Sequence, residues 1–192
     1  MKTMEREEYF QEIIRVMSTI NNSEFKIEVV AGKIIELYQN KGILIIAGNG
    51  GSAADAQHIA AEMMGAYMNR NRKALPAIAL TANTSNLTAI GNDYGYEEVF
   101  VRQLQAFDDF NYIFIGISTS GNSPNINKAI EYAKSKGKFT VWLTGRDGGT
   151  LQKIADLCII VPCQLTPIIQ TAHNSIYHRI CELVESAFSS KV

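Results

Sequence analysis

Cysteine is scarce in this chain of 192 residues. The three present, Cys158, Cys163 and Cys181, are odd in number and form no C-x-x-C pair, so neither a disulfide framework nor a zinc knuckle is indicated. They read as buried thiols of a protein kept in a reducing cytoplasm. An excess of either charge is also lacking: 18 Lys and Arg stand against 19 Asp and Glu, a formal net charge of −1. That balance leaves no electrostatic footprint for nucleic acid or for an anionic membrane. Only Arg70-Asn71-Arg72-Lys73 is locally basic, which reads as a solvated helix end, with substrate or subunit contact as the sharper reading. No apolar run is long enough to span a membrane, and Met1-Lys2-Thr3-Met4-Glu5-Arg6-Glu7-Glu8 is too charged to open a signal peptide, so the expected location is the cytosol. Linkers, internal repeats and low-complexity tracts are absent as well. Residues 1–192 are expected to form one domain, with an N-terminal helical segment over about 5–40.

What is present is an alternation of helical and strand patterns. Tyr9 to Thr19 and Glu24 to Gln39 show helical spacing, with Ile13, Ile14, Val16 and Met17, then Ile27, Val30, Ile34, Ile35 and Tyr38, as apolar faces. Five short apolar runs follow, at 42–47, 76–80, 112–117, 139–143 and 157–161, separated by helical stretches, and a last helix is expected from about Ile168 to Ser186. Runs of this kind with helices between them predict an α/β fold, a parallel sheet covered on both faces. Right-handed crossovers then gather the loops after each strand at the carboxyl edge of the sheet, where ligands bind.

Two of those loops have the composition of an anion site. Gly48-Asn49-Gly50-Gly51-Ser52 follows the first strand: glycines let backbone N–H groups approach a ligand, Ser52 is placed to cap the next helix, and that helix N-terminus attracts phosphate or carboxylate. Ser118-Thr119-Ser120-Gly121-Asn122-Ser123-Pro124 follows the third strand, with Pro124 as the first helical residue and Ser123 as its cap. Four hydroxyls, a glycine turn and a helix N-terminus can hold a phosphate dianion without a lysine, and no Walker pattern is present. Thr144-Gly145-Arg146-Asp147-Gly148-Gly149 and Gly91-Asn92-Asp93-Tyr94-Gly95 are each explained equally well by turns.

His58 and Glu62 are four apart and share one helical face below the first glycine loop. His173 and His178 both fall on the last helix, where Gln170 and His178 share a broad side and His173 lies away from His178. His58, Glu62, Gln170 and His178 offer nitrogen and oxygen donors suited to zinc or a similar divalent ion, although glutamine is a weak ligand. The same residues fit a core histidine with an acid/base pair, Glu62 and His178, and no metal.

Taken together, G-N-G-G-S-A-A-D-A-Q-H-x-A-x-E, G-N-D-Y-G-Y, G-I-S-T-S-G-N-S and the Gln170-to-His178 spacing resemble the sugar isomerase (SIS) domains, and within them the phosphoheptose isomerases of bacterial heptose biosynthesis. The resemblance covers nearly the whole chain. It implies a flavodoxin-like three-layer sandwich with five parallel strands, and a homotetramer with active sites between subunits. It implies conversion of sedoheptulose 7-phosphate into D-glycero-D-manno-heptose 7-phosphate. By the same resemblance Ser118, Thr119, Ser120 and Ser123 hold phosphate, and Asn49, Gly50, Gly51, Ser52, Glu62, Asn92, Asp93 and Gln170 contact the substrate. Glu62 and His178 match the acid/base residues, and His58, Glu62, Gln170 and His178 the ligands of one zinc ion per subunit.

Two positions depart from the family pattern. Gly65-Ala66-Tyr67 stands where members have Gly-Arg-Tyr or Gly-Arg-Phe, and Ile168-Ile169-Gln170-Thr171 where they tend to have Arg-Ile-Gln-Glu. The missing guanidinium groups leave the exact phosphosugar open. Three alternatives stand beside this reading. Gly48-Asn49-Gly50-Gly51-Ser52-Ala53 formally fits the dinucleotide pattern G-x-G-x-x-A, but Leu80-Thr81-Ala82-Asn83 lacks the acidic residue expected for a ribose. A non-catalytic SIS-domain regulator that binds a replication initiator protein would lack Glu62 and His178, and an isomerase of another phosphosugar would keep them.

Overall fold

A computed structural model describes residues 6–189, apart from the side chains of Arg6 and Asn22. Glu5, the first residue of the expected N-terminal helical segment, and the four residues before it lie outside the described residues. The five apolar runs form β1 (Ile43–Gly48), β2 (Ala77–Ala79), β3 (Tyr112–Ser118), β4 (Phe139–Gly145) and β5 (Leu157–Val161). All pair in parallel, in the order β2-β1-β3-β4-β5. This is the flavodoxin-like order, and it reverses between β1 and β3, where a crevice opens at the carboxyl ends of the strands. β3 is buried along its whole length, which is why it reads as a continuous apolar run with no alternation.

Successive side chains of each strand enter opposite cores. Leu44, Ile46, Ile113, Ile115, Ile117, Val141 and Leu143 pack against α1 (Arg6–Ile20), α2 (Glu24–Gln39), α3 (Gly51–Met64) and α7 (Thr166–Phe188). Ile45, Phe114 and Trp142 pack on the other side, against α4 (Thr84–Tyr94), α5 (Val101–Gln105) and α6 (Pro124–Ser135). Each fully buried aliphatic side chain contributes roughly 1.5–3 kcal/mol relative to exposure, so the two cores together fix the three layers.

The expected fold class holds, with differences at the ends of elements. β2 is only three residues long, because it is an edge strand paired with β1 alone. α1 and α7 outrun the expected 9–19 and 168–186, and Ile20 and Phe188 in the added stretches pack against the first core. Asn92 and Asp93 lie in the last turn of α4 and not in a separate turn; the chain leaves the helix at Gly95, φ 89°. Cys163 and Cys181 are buried as expected, whereas Cys158 on the edge strand β5 is only half-buried; all three are unpaired.

Candidate active site

At the β1/β3 crevice, Asn49, Gly50, Gly51, Ser52, Ser118, Thr119, Ser120, Ser123, Thr166 and Gln170 line a cleft of about 300 Å³. Gly50 adopts φ 55° at the start of α3, a backbone that disfavours L side chains. It is Gly50, and not Ser52, that occupies the N-cap: Ser52 lies inside α3, almost fully buried, with its backbone N–H on the Asn49 carbonyl. Ser123 does precede Pro124 at the start of α6, but its hydroxyl makes no capping bond. It pairs instead with Ser118 Oγ at 2.8 Å, and Ser118 Oγ lies 3.3 Å from Ser120 Oγ. Ser52 is therefore not the expected cap, because α3 already starts at Gly51, and Ser123 takes the expected cap position but turns its hydroxyl to Ser118.

The two loops are tied together through amides. Asn49 Nδ2 donates to Asn125 Oδ1 at 2.8 Å and Asn125 Nδ2 returns the bond to Asn49 Oδ1 at 3.0 Å, while the Tyr96 hydroxyl donates to the same Asn49 oxygen. The β4 loop braces the Ser/Thr loop from behind. A Cβ on Gly149, which has φ 68°, would lie 2.1 Å from the Gly121 carbonyl oxygen. Asn92 and Asp93 are not brought to this cleft; they are exposed, and Asn92 Nδ2 donates to Asp93 Oδ1. A second cleft, of about 280 Å³, lies between Lys33, Asn40, Asn111 and Lys138 at the opposite ends of the strands, away from these loops.

α3 and α7 run side by side, and their facing residues form a seam leading from the cleft. The Gln170 side chain rests against Gly51. Seven residues further along α3, about 10 Å of helix rise, His58 Nε2 lies 3.0 Å from Glu62 Oε1 and 3.5 Å from His178 Nε2. Ligand atoms of His58, Glu62 and His178 all fall within 4.8 Å of one another. Two imidazole nitrogens and a carboxylate oxygen are a donor set suited to zinc or a similar divalent ion, so these three residues could hold one. Gln170, on the same helix as His178, lines the cleft. Burial, then the neighbouring His58 ring, hold the His178 imidazole below its ordinary pKa, with Glu62 pulling the other way. Behind His58, its Nδ1 lies 3.0 Å from the Tyr177 hydroxyl, which donates to Asp55 Oδ1 and accepts from Asn174 Nδ2. Burial pushes the Asp55 carboxyl up to about 6, against the Tyr177 hydrogen bond and the His58 ring.

The basic cluster is placed differently from its expected helix end. Arg72 is buried and folds back under α3: its guanidinium donates to the Glu62, Met63 and Gly65 carbonyls, and its Nε to Glu185 Oε1. Glu185 also accepts from the backbone N–H groups of Tyr67, Met68 and Asn69. A buried carboxylate from α7 thus secures the end of the helix that bears His58 and Glu62. His173, as expected, lies away from His178, fully buried with Nε2 3.1 Å from the Thr144 carbonyl. Ile168 packs in the core, so the second missing family arginine falls at a position facing the interior. Asp55, Asn125, Thr166 and Tyr177 join the site only through the structure. Only Asp55 had a local signal, three residues before His58 on the same helical face.

With this geometry in place, the similarities to known proteins are specific. Residues 8–145 match the model of the SIS domain. A phosphoheptose isomerase of Aneurinibacillus thermoaerophilus is 57% identical over 161 residues, covering 84% of this chain and 81% of the relative. One from Sulfurimonas denitrificans is 55% identical over 160 residues, covering 83% and 82%. Among solved structures, a phosphoheptose isomerase from Neisseria gonorrhoeae superposes with a TM-score of 0.85 at 40% identity, covering 93% of this chain and 95% of the other. One from Francisella tularensis superposes at 0.88 and 32%, with the same coverage.

Proposed function

The chain belongs to the SIS-domain family and, within it, to the phosphoheptose isomerases; from that premise we propose that it converts sedoheptulose 7-phosphate into D-glycero-D-manno-heptose 7-phosphate. The observation that supports this reading is the α3–α7 seam. It has a hydroxyl-lined cleft at one end and an acid/base triad about two helical turns along, a layout suited to a sugar with its phosphate at one end and its carbonyl near the other.

The phosphate is held by Ser118, Thr119, Ser120 and Ser123, with the N-termini of α3 and α6 directed at its charge. Binding energy from this remote group orients the reacting carbons. Asn49, Gly50, Gly51, Ser52 and Gln170 then contact the sugar, as do Asn92 and Asp93, reached through a neighbouring subunit. In the reaction a proton moves from C1 to C2 and a second from the C1 oxygen to the C2 oxygen, through an enediol. Glu62 abstracts the C1 proton and returns it to C2, and His178 moves the protons at the oxygens. With Oε1 turned to His58, the second carboxylate oxygen of Glu62 is left to face the substrate. A divalent ion, zinc by family resemblance, would be held by His58, Glu62 and His178, with Gln170 as a weaker fourth donor, and would supply Lewis-acid stabilisation of negative charge on the substrate oxygens.

The assembly in this proposal is a homotetramer with active sites between subunits. Phe10, Ile14, Phe25, Met64 and Met68 are exposed, apolar surface that subunit contacts would cover. No described helix is long and apolar enough to cross a membrane, which suits a cytoplasmic enzyme supplying heptose for a surface glycan. The test is NMR-monitored turnover of sedoheptulose 7-phosphate by purified protein, before and after chelation and with zinc added back. Conversion that falls on chelation and returns with zinc is expected. Glu62→Gln is expected to lower kcat at least a hundredfold with the fold retained; an unchanged rate would remove Glu62 from the mechanism.

A further inference from the structure

We propose that Tyr177 is a positioning residue for the metal triad: held by Asp55 and Asn174, it fixes the orientation and tautomer of His58 so that Nε2 presents a free lone pair to a divalent cation. The proposal rests on the metal reading above. It follows from a proton inventory. The Tyr177 side chain is only 2% exposed, so its hydroxyl depends on protein partners. Asn174 Nδ2 can only donate, and it points at the Tyr177 oxygen. An Asp55 carboxylate can only accept, so the single Tyr177 O–H is directed to Asp55 Oδ1, at 3.4 Å. The phenolic oxygen is left with acceptor capacity toward His58 Nδ1 at 3.0 Å, an arrangement that assigns the His58 proton to that nitrogen.

The consequence appears on the other side of the ring. With Nδ1 protonated, the neutral imidazole has a lone pair at Nε2, and this atom faces Glu62 Oε1 at 3.0 Å and His178 Nε2 at 3.5 Å. A cation placed among these atoms would be held by the His58 lone pair, the Glu62 carboxylate and His178. Outer partners of this kind orient ligating histidines, and their loss typically weakens metal binding by 10- to 100-fold. Asp55 has a further mark of such a role: its second oxygen, Oδ2, is buried with no hydrogen-bond partner among the described residues. A fold tolerates a half-satisfied carboxylate more readily where the satisfied oxygen does functional work.

The experiment is a zinc competition titration against a chromogenic chelator at neutral pH, on the full chain, for wild type, Tyr177→Phe and Asp55→Asn. Removing the hydroxyl is expected to weaken zinc 10- to 100-fold. Asp55→Asn keeps the size of the side chain but adds a donor that can turn the Tyr177 proton toward His58, and it is expected to weaken zinc several-fold. Long-range 15N–1H correlation spectra of the zinc-loaded wild type should place the His58 proton on Nδ1. Thermal melts of the metal-free proteins separate this role from folding: either variant that melts with wild type yet binds zinc more weakly supports the proposal. Zinc affinities within twofold of wild type in both variants, or a proton on His58 Nε2, overturn it while leaving the metal site standing. A wild-type protein that binds no zinc overturns the metal reading and this inference with it.

Discussion

His173 makes the stability of this protein depend on pH in a way that can be worked out in advance. The ring is 0% exposed, its Nε2 meets the Thr144 carbonyl and its Nδ1 has no partner among the described residues. Nothing in that pocket compensates a second proton. Burial pushes its pKa from the ordinary 6.5 down to about 4, with the Thr144 hydrogen bond acting weakly the other way. Between those two values the unfolded chain binds the proton and the folded chain does not, so stability is full above about pH 6.5 and is lost as pH falls. A difference of about 2.5 pKa units corresponds to about 3 kcal/mol in all, of which about 2 kcal/mol is lost by about pH 5. Asp55 has the opposite sign: its raised pKa adds stability as pH falls through about 6. The comparison must therefore be made against a variant that changes only His173. His173→Gln keeps a donor for the Thr144 carbonyl and does not titrate. Urea unfolding of metal-free protein, followed by the fluorescence of the single, fully buried Trp142, should show wild type losing about 2 kcal/mol relative to His173→Gln between about pH 7.5 and about pH 5. Parallel stability curves for the two proteins would refute the argument.

Two further expectations concern the surroundings of the site. Glu185→Ala strands the buried Arg72 guanidinium and three backbone N–H groups, and should cost about 3–5 kcal/mol in urea unfolding; a loss below about 1 kcal/mol would mean that water replaces the carboxylate. Gly149→Ala places a methyl against the Gly121 carbonyl at a positive φ. It should raise KM for the phosphosugar more than it lowers kcat, because the Ser/Thr loop is displaced while the triad is not; unchanged steady-state constants would show that the brace is slack.

Much of this architecture is local information. The five strands are legible because a strand buried on both faces must be continuously apolar, as in Tyr112 to Ile117. The His58–Glu62 pair is legible because a helix places residues four apart together. The hydroxyl loop is legible from its composition. Less so was the behaviour of individual polar groups. Ser52 had the right type for a cap but falls inside α3, and Ser123 holds the cap position with its hydroxyl given to Ser118. Arg72 looked like part of a solvated cluster because its partner, Glu185, is 113 residues away. Helix spacing made His58 and His178 candidates for one donor set but left a core histidine open, because their meeting depends on packing across 120 residues.

By itself, then, the sequence determined the α/β alternation, the loops that meet at the carboxyl edge and the chemical types available there, since each depends on side-chain period or short-range conformational preference. Only the tertiary structure decided which donors converge. The parallel packing of α3 on α7 placed Gln170 with the cleft and His178 with the triad, and set Tyr177 and Asp55 behind His58. Such pairings depend on the register of two helices remote in the chain, and that register is fixed by the packing of both against one sheet.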